Sequence, residues 1–176
     1  MKPVIRSLIA FLLAALVPAA CIIAWEIVGT FEVPGAANDP YAWLRIRNFG
    51  ILAILISATH VLVLGMPSFF LLLRFKVVTW WSSSVTGFIL GCLPIGVLSW
   101  PLHFNSGSSA SHGDGTKMVV TLVNGVPTFA GWLEWLSTVG FVGALGFIGG
   151  LTFWLVWRGS MRPNNSLKRT GLRPAA

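Results

Sequence analysis

Four long apolar stretches constrain the fold of this chain more than any other feature. Crossing the hydrocarbon core of a bilayer takes about 20 consecutive apolar residues in a helix. Four stretches meet that length, at Leu8–Val28, Phe49–Leu73, Val77–Trp100 and Leu136–Trp157. Because only 10% of the 176 residues are charged, the sequence predicts an all-α integral membrane protein with four transmembrane helices in a bundle.

Nine tryptophans lie near the ends of these stretches. An indole ring prefers the membrane–water boundary, because its body is apolar while its N–H needs a polar partner. One set lies near the C-terminal ends of the first and third stretches and the N-terminal ends of the second and fourth: Trp25, Trp43, Trp100, Trp132 and Trp135. The other set lies at the opposite ends: Trp80, Trp81, Trp154 and Trp157. The two sets agree with four successive crossings.

The distribution of positive charge predicts the orientation. Cytoplasmic flanks of membrane helices carry an excess of Lys and Arg. One side of the predicted crossings carries nine basic residues and no acidic ones: Lys2, Arg6, Arg74, Lys76, Arg158, Arg162, Lys168, Arg169 and Arg173. The other side has Arg45, Arg47 and Lys117 with all five acidic residues. Both termini are therefore expected in the cytoplasm, and the net charge of +7 needs no nucleic-acid partner.

The first apolar stretch has a second interpretation, as a cleaved leader. Two basic residues precede the apolar run Leu8–Val17, and Val17–Cys21 has the small residues of a lipoprotein cleavage site. Pro18 does not suit such a site, and the apolar character continues through Ile22–Val28. The sequence therefore favours an uncleaved first helix.

A basic segment precedes the predicted second helix. Tyr41–Arg47 contains Arg45 and Arg47, which depart from the charge pattern of the outer side. It is either a short interfacial segment whose arginines reach lipid head groups or a solvated helix start. We favour the solvated helix start.

The loop between helices 3 and 4 carries the strongest local signal of β-structure. Asn124–Gly125 separates Thr116–Val123 from Val126–Ala130, and an Asn-Gly pair between β-branched runs is typical of a type I′ hairpin turn. Pro127 cannot donate a ladder hydrogen bond, so its strand is expected at an edge. The Gly- and Ser-rich stretch Asn105–Gly115 is expected to be mobile. We therefore expect a small extracytoplasmic β-hairpin.

These features divide the chain into two parts. Residues 1–158 are expected to form the four-helix transmembrane domain, with an outer loop at 101–134. Residues 159–176 carry four basic residues and almost no apolar periodicity, which predicts a disordered basic cytoplasmic tail. This tail either lies on anionic lipid or has no dedicated role, because Asn164–Pro174 resembles tails that recur on unrelated short bacterial proteins.

Helices 3 and 4 carry glycines at helix-packing spacing. In lipid, small residues let helix backbones approach closely. The spacing predicts that five glycines pack helices together: Gly87, Gly91, Gly143, Gly146 and Gly150. Packing within one bundle is favoured over homo-oligomerisation or docking onto a membrane-protein partner. Pro18, Pro67 and Pro94 lie within the predicted spans and are expected to kink them rather than to act as hinges.

His60 is the ionisable residue that the sequence places deepest in a predicted helix. It lies eleven residues after Phe49, which corresponds to about 16 Å along a helix. Ionisable residues at that depth are costly and often functional. A neutral imidazole satisfied by Ser57 or a neighbouring carbonyl is favoured, and a functional histidine is the alternative.

Cys21 and Cys92 are expected at a similar depth, in the outer half of the membrane. If helices 1 to 3 adjoin, these thiols and His60 would form a cluster suited to copper or zinc. A disulfide is a further alternative, and ordinary apolar packing of both cysteines is favoured. Glu26, near the outer boundary, is expected to stay hydrated or to pair with a loop arginine, with a proton-carrying role as the alternative.

Three loop residues are the remaining candidate metal ligands: His103, His112 and Asp114. Their Gly- and Ser-rich setting favours a solvated loop over a preformed site. The sequence contains no CxxC, HExxH, phosphate-binding loop or GxGxxG motif. It therefore assigns no catalytic residue, predicts no cofactor and favours a non-enzymatic role.

Four short stretches carry a resemblance to known proteins: Gly65–Arg74, Trp80–Ser82, Asn124–Thr128 and Phe153–Arg158. Together they resemble a group of small four-helix bacterial inner-membrane proteins with no assigned activity. The resemblance implies the four-helix architecture and a bacterial inner membrane. It supplies no catalytic residues.

The sequence leaves three functional hypotheses. The favoured one is a non-enzymatic accessory or structural membrane subunit. A small oligomeric transporter or channel is the alternative, and a membrane-embedded metal or redox protein using Cys21, His60 and Cys92 is the second alternative. The expected partners are the lipid bilayer and either another membrane protein or a second copy of the chain.

Overall fold

The chain folds into five α-helices, a π-helical segment and a small sheet within residues 3–32, 35, 39–102, 109–113 and 118–158, which the computed structural model describes. The helices are α1 (Pro3–Glu32), α2 (Ala42–His60), α3 (Met66–Arg74), α4 (Trp80–Leu98) and α5 (Phe129–Arg158). The π-helical segment Val61–Gly65 joins α2 to α3, so that Ala42–Arg74 is one continuous helical rod. The predicted tail at residues 159–176 lies outside the described residues.

In the described part of the chain, four helices are long and apolar enough to cross a membrane: α1, the rod, α4 and α5. Their number and composition fit the predicted multi-pass membrane protein. The rod begins before the predicted start at Phe49, because Ala42 and Ile46 are already helical and buried. Residues 42–47 are therefore the first turns of α2 rather than a separate interfacial segment, and Arg45 forms an ion pair with Asp39 at 2.8 Å.

A three-stranded antiparallel sheet lies between α4 and α5 in the sequence. Its strands are β1 (Ala110–Gly113), β2 (Met118–Val123) and β3 (Val126–Pro127), in the order β1-β2-β3. The predicted turn is confirmed, because Asn124 and Gly125 have φ angles of +50° and +80°. Pro127 lies on an edge strand, as expected.

Strand β1 corrects the expectation that residues 105–115 are mobile throughout. Residues 110–113 pair with β2, although their Gly- and Ser-rich surroundings suggested a loop. The pairing uses backbone groups, and a register shift between Ala110 and Ser111 interrupts the ladder. Backbone pairing of this kind leaves no alternation of apolar side chains in the sequence.

The helices pack in the order rod, α1, α5, α4. α1 packs against the rod on one side and against α5 on the other, and α4 packs against α5. Helix α1 buries four alanines toward these neighbours: Ala10, Ala14, Ala15 and Ala19. Small side chains allow this close approach, and a Cβ added to Gly149 of α5 would lie 3.0 Å from the Ala14 carbonyl oxygen.

An aromatic cluster ties together the N-terminal end of α1, α3 and the C-terminal end of α5. The ring centroids of Phe11, Phe69 and Phe153 lie 4.7–5.5 Å apart, and Trp157 lies 5.8 Å from Phe69. The turn at residues 75–79 then reverses the chain into α4. Thr79 caps that helix through a reciprocal hydrogen-bond pair with Ser82.

The two sets of tryptophans lie at opposite ends of the helices. Trp100, Trp132 and Trp135 form one cluster, with ring centroids 5.3–5.9 Å apart. At the other end Trp80 packs on Trp81 with a centroid distance of 5.0 Å, and the Arg158 guanidinium lies 4.9 Å from the Trp154 ring centroid. Both ends therefore present indole rings where a membrane boundary would lie.

Candidate functional site

A cavity of about 470 Å³ lies between the rod and α4. The rod packs on α1 and α4 packs on α5, whereas the rod touches α4 only sparsely, mainly through Val61–Gly65 and α3. Ala14 and Pro18 of α1 and Gly146 and Gly149 of α5 close its back. The open side therefore lies between the rod and α4, and the volume falls within the range of about 300–1,000 Å³ that is typical of small-molecule sites.

Polar side chains line this cavity unevenly. The half nearer the turn at residues 75–79 contains Ser68, Ser83 and Thr86. The half beyond His60 is apolar and is lined by Phe49, Leu52, Ala53, Ile56, Pro94, Ile95 and Leu98. None of the lining residues in the described part of the chain is Asp, Glu, Lys or Arg. The described lining is thus uncharged and mostly apolar, and we call the half that contains the hydroxyls, which Phe69 and Phe153 also line, its polar half.

The helix type changes where the rod borders the middle of the cavity. Pro67 has no N–H, and its ring crowds the preceding turn of an α-helix. A wider turn relieves that crowding, and the Met66 N–H donates to the Val61 carbonyl in the π-helical segment. Pro18 and Pro94, by contrast, lie inside uninterrupted α1 and α4. Such π-helical turns are frequent at functional sites.

His60 lies beside this change of helix type, 18 residues after Ala42 and 14 before Arg74. Its imidazole lines the cavity and interacts with the Leu90 backbone carbonyl of α4. Ser57, the partner considered from the sequence, donates instead to the Ala15 carbonyl oxygen at 2.7 Å. A neutral imidazole that donates its N–H to a carbonyl keeps its second nitrogen as an acceptor. His60 therefore reaches across the cavity toward α4, and in its neutral form the imidazole would offer its second nitrogen as an acceptor.

Unpartnered hydroxyls distinguish the polar half of the cavity. Ser83 is only 6% exposed, and its Oγ has no hydrogen-bond partner among the described residues. Leaving a buried hydroxyl unpaired costs about 1–3 kcal/mol. Ser68 and Thr86 lie on facing walls and also make no side-chain hydrogen bond within the described part of the chain. The hydroxyls of Ser68 and Thr86 are thus available to a molecule in this half, whereas the Ser83 Oγ is itself enclosed by protein.

The structure does not bring Cys21, Cys92 and His60 together. Cys21 is exposed on α1, and both thiols are free. Cys92 faces α5, with its Sγ 3.5 Å from the Val139 carbonyl oxygen, and does not line the cavity that contains His60. Because α1 and α4 are not neighbours, the condition for the cluster is not met. The described residues contain no group of three or more His, Cys, Asp or Glu that could hold a metal ion.

The remaining candidates lie away from the cavity. Glu26 lies in the last turns of α1, is partly exposed and does not line the cavity. His103 and Asp114 lie outside the described residues, and of His112 only the backbone, in β1, is described. The structure therefore assigns none of them to a site.

The glycines named from the sequence lie between α4 and α5. A Cβ on Gly87 would collide with the Gly146 carbonyl oxygen, and a Cβ on Gly146 would collide with the Gly87 carbonyl oxygen. A Cβ on Gly91 would likewise collide with the Val142 carbonyl oxygen and one on Gly150 with the Ser83 carbonyl oxygen, while Gly143 faces Cys92 and Phe88. These glycines pack α4 on α5, and all of them except Gly143 also border the cavity.

Sequence reasoning missed the cavity and its hydroxyls. Ser68, Ser83 and Thr86 are separated along the chain, and only the gap between the rod and α4 groups them. The available signal was Pro67, which lies inside the apolar stretch Phe49–Leu73. No family model, curated protein or solved structure matches the chain, so the functional argument rests on its own geometry.

Proposed function

We propose that this chain is a multi-pass protein of the bacterial inner membrane with both termini in the cytoplasm. Arg6, Arg74 and Arg158 lie on the helix ends that meet at the aromatic cluster. The described acidic residues are near the opposite helix ends: Glu26, Glu32, Asp39 and Glu134. Basic residues concentrate on the cytoplasmic side of membrane helices, which supports this orientation.

Reporter fusions test the orientation. A fluorescent reporter that is active only in the cytoplasm should work when fused after Gly159 and should fail when fused after Gly113. Alkaline phosphatase, which is active only outside the cytoplasm, should give the reverse pattern. Phosphatase activity at Gly159 or fluorescence at Gly113 contradicts the four-crossing arrangement.

Within that membrane we propose a non-enzymatic accessory role, in which the rod docks onto another membrane protein. One observation carries this proposal. Only 6% of the most apolar window of the rod is buried, against 17–22% in the other three helices. The face of the rod away from the cavity presents exposed Ile51, Leu55 and Leu62, and an apolar helix of a partner would pack on that stripe.

Site-specific photo-crosslinking in native membranes tests the accessory role. A photoreactive amino acid at Leu55 should form an adduct of one defined mass with another membrane protein. The matched control is Leu155 of α5, because the two side chains are 59% and 57% exposed. Mild-detergent purification and mass spectrometry then identify whatever co-purifies. Equal labelling from both positions, or a chain that purifies alone, contradicts the proposal.

A small oligomeric transporter or channel is the second candidate, and the π-helical segment beside His60 favours it. Broken helices and polar groups at mid-depth mark transport sites. Liposomes containing the full chain should then dissipate a proton or K⁺ gradient faster than empty liposomes, and His60→Phe should slow that flux. Identical rates for the wild-type chain and the variant count against this candidate.

A further inference from the structure

The cavity between the rod and α4 has the shape of a slot. Its lining residues on α4 run from Ser83 to Leu98, a length of about 22 Å along a helix. A volume of about 470 Å³ spread over that length is narrow. It accommodates an extended chain more readily than a compact ring system or a folded peptide.

The chemistry of the lining selects among chain molecules. No charged side chain is present among its described lining residues, so a phosphate or an ammonium group inside it would lack a counter-charge. The hydroxyl-bearing Ser68 and Thr86 line one half together with Phe69 and Phe153, and the other half is lined by aliphatic and aromatic side chains alone. The matching molecule is neutral, with a hydrogen-bonding head and one apolar chain.

A second observation points to a ligand independently of the shape. Ser68 and Thr86 are partly exposed on facing walls of the cavity, and their hydroxyls have no hydrogen-bond partner among the described residues. Hydroxyls in an apolar setting are nearly always paired. His60 lines the same cavity at the boundary between its two halves. The head therefore needs oxygen atoms that hydrogen-bond to these hydroxyls.

We propose that the slot binds one neutral single-chain lipid whose head carries hydroxyl and carbonyl oxygens. The head lies between Ser68 and Thr86 and reaches toward His60. The chain extends along the apolar half as far as Leu98. The open side between the rod and α4 lets this lipid exchange with the bilayer. This inference rests on the membrane placement proposed above and is independent of the accessory role.

A pair of photoactivatable lipids tests the proposal on the full chain in phosphatidylcholine nanodiscs. One probe is a monoacylglycerol with a diazirine and an alkyne in its chain, and the other is the lysophosphatidylcholine with the same chain. The monoacylglycerol should label the protein at least about fivefold more strongly, a ratio well within reach of a few hydrogen bonds. The labelled peptides should contain residues 52–56 or 94–98. Equal labelling by the two probes, or labelling elsewhere, overturns the proposal.

Matched variants locate the head and the chain. Thr86→Val should reduce monoacylglycerol labelling to about the lysophosphatidylcholine level, because a hydroxyl that binds the head is lost. Thr152→Val is its control, since Thr152 bonds the Ile148 carbonyl within α5 at 2.8 Å and does not line the slot. Ala53→Phe should block the apolar half, and Ala58→Phe on the same helix lies outside the lining.

The outcomes separate this inference from the membrane placement and the accessory role. Incorporation into nanodiscs reports the membrane placement, and the Leu55 adduct in native membranes reports the accessory role. Unchanged labelling of Thr86→Val or Ala53→Phe overturns the inference, as does an equal loss in either control variant. Helical circular dichroism and a single elution peak establish that each variant is folded before labelling is compared.

Discussion

The two neighbours of α4, which are α5 and the rod, differ sharply in how closely they approach it. Between α4 and α5 the backbones touch, so that Gly87 and Gly146 leave no room for a Cβ on either helix. Between α4 and the rod there is a cavity of about 470 Å³. Lipid tails are as apolar as leucine, so exclusion from water does not draw membrane helices together. Close packing between them requires small residues, and the rod presents Phe49, Leu52 and Ile56 to α4 instead.

The bundle therefore has a tightly packed part, formed by α1, α4 and α5, and a loosely attached part, which is the rod. α1, α4 and α5 join through alanines and glycines. The rod is attached through its packing on α1, the Ser57 hydrogen bond to Ala15 and the aromatic cluster around Phe69. Loose attachment is what a slot that exchanges lipid requires, because one wall has to give way.

The largest expected effect is a loss of stability when the tight interface receives one methyl group. Gly87→Ala places a Cβ against the Gly146 carbonyl oxygen, and backbone atoms yield less than side chains. We expect a loss of about 3 kcal/mol in the free energy of unfolding, at the upper end of overpacking costs. Unfolding in mixed micelles with increasing denaturing detergent measures it.

Gly140→Ala is the control for that variant, because a Cβ at Gly140 has nothing within 4 Å. It lies on the same helix as Gly146 and should change stability by less than about 0.5 kcal/mol. If both variants lose equal stability, the packing of α4 on α5 does not depend on backbone contact, and α5 and the rod do not differ in the way described.

Phe69→Ala tests the anchor of the rod. Phe69 is 7% exposed and contacts the rings of Phe11, Phe153 and Trp157. We expect a loss of about 2 kcal/mol, below the roughly 3–5 kcal/mol of water-soluble cores, because lipid also solvates apolar groups. Phe70→Ala removes a neighbouring ring that is 64% exposed. It should leave the unfolding midpoint close to that of the wild-type chain.

The tight part of the bundle could be predicted from the sequence. The five glycines repeat at intervals that place them on one face of each helix, and the structure brings those faces together. The Asn124–Gly125 turn was equally predictable, because positive φ angles favour these residue types. Local spacing and local conformational preference decide both features.

The slot could not be predicted in the same way. It exists because the rod touches α4 only sparsely, mainly through Val61–Gly65 and α3, and the order of helices around a bundle is set by all pairwise contacts together. The separation of Cys92 from His60 follows from the same cause, since α4 turns Cys92 toward α5 rather than toward the rod. The π-helical segment had a local signal in Pro67, but proline predicts only that a hydrogen bond is lost.

Ser57→Ala tests the attachment of the rod to α1. Ser57 donates to the Ala15 carbonyl oxygen at 2.7 Å, and hydrogen bonds between membrane helices contribute about 0.6 kcal/mol on average. The variant should lose that amount. Ser137→Ala is the control, because its bond to the Glu134 carbonyl stays within α5. Equal stability of the two variants contradicts a role for Ser57 in holding the rod.

The smallest expected effect is a gain in stability, and it comes from a second glycine-to-alanine substitution, at Gly65. Gly65 lines the slot with a helical φ of −67°, and a Cβ there would lie 3.6 Å from the nearest atom of Val61. Alanine costs less conformational entropy than glycine in a helix, so Gly65→Ala should gain about 0.5 kcal/mol. Gly87→Ala and Gly65→Ala, measured in the same detergent series, should therefore move the unfolding midpoint in opposite directions. A loss of stability in Gly65→Ala would show that the rod and α4 meet as closely as α4 and α5, which removes the slot.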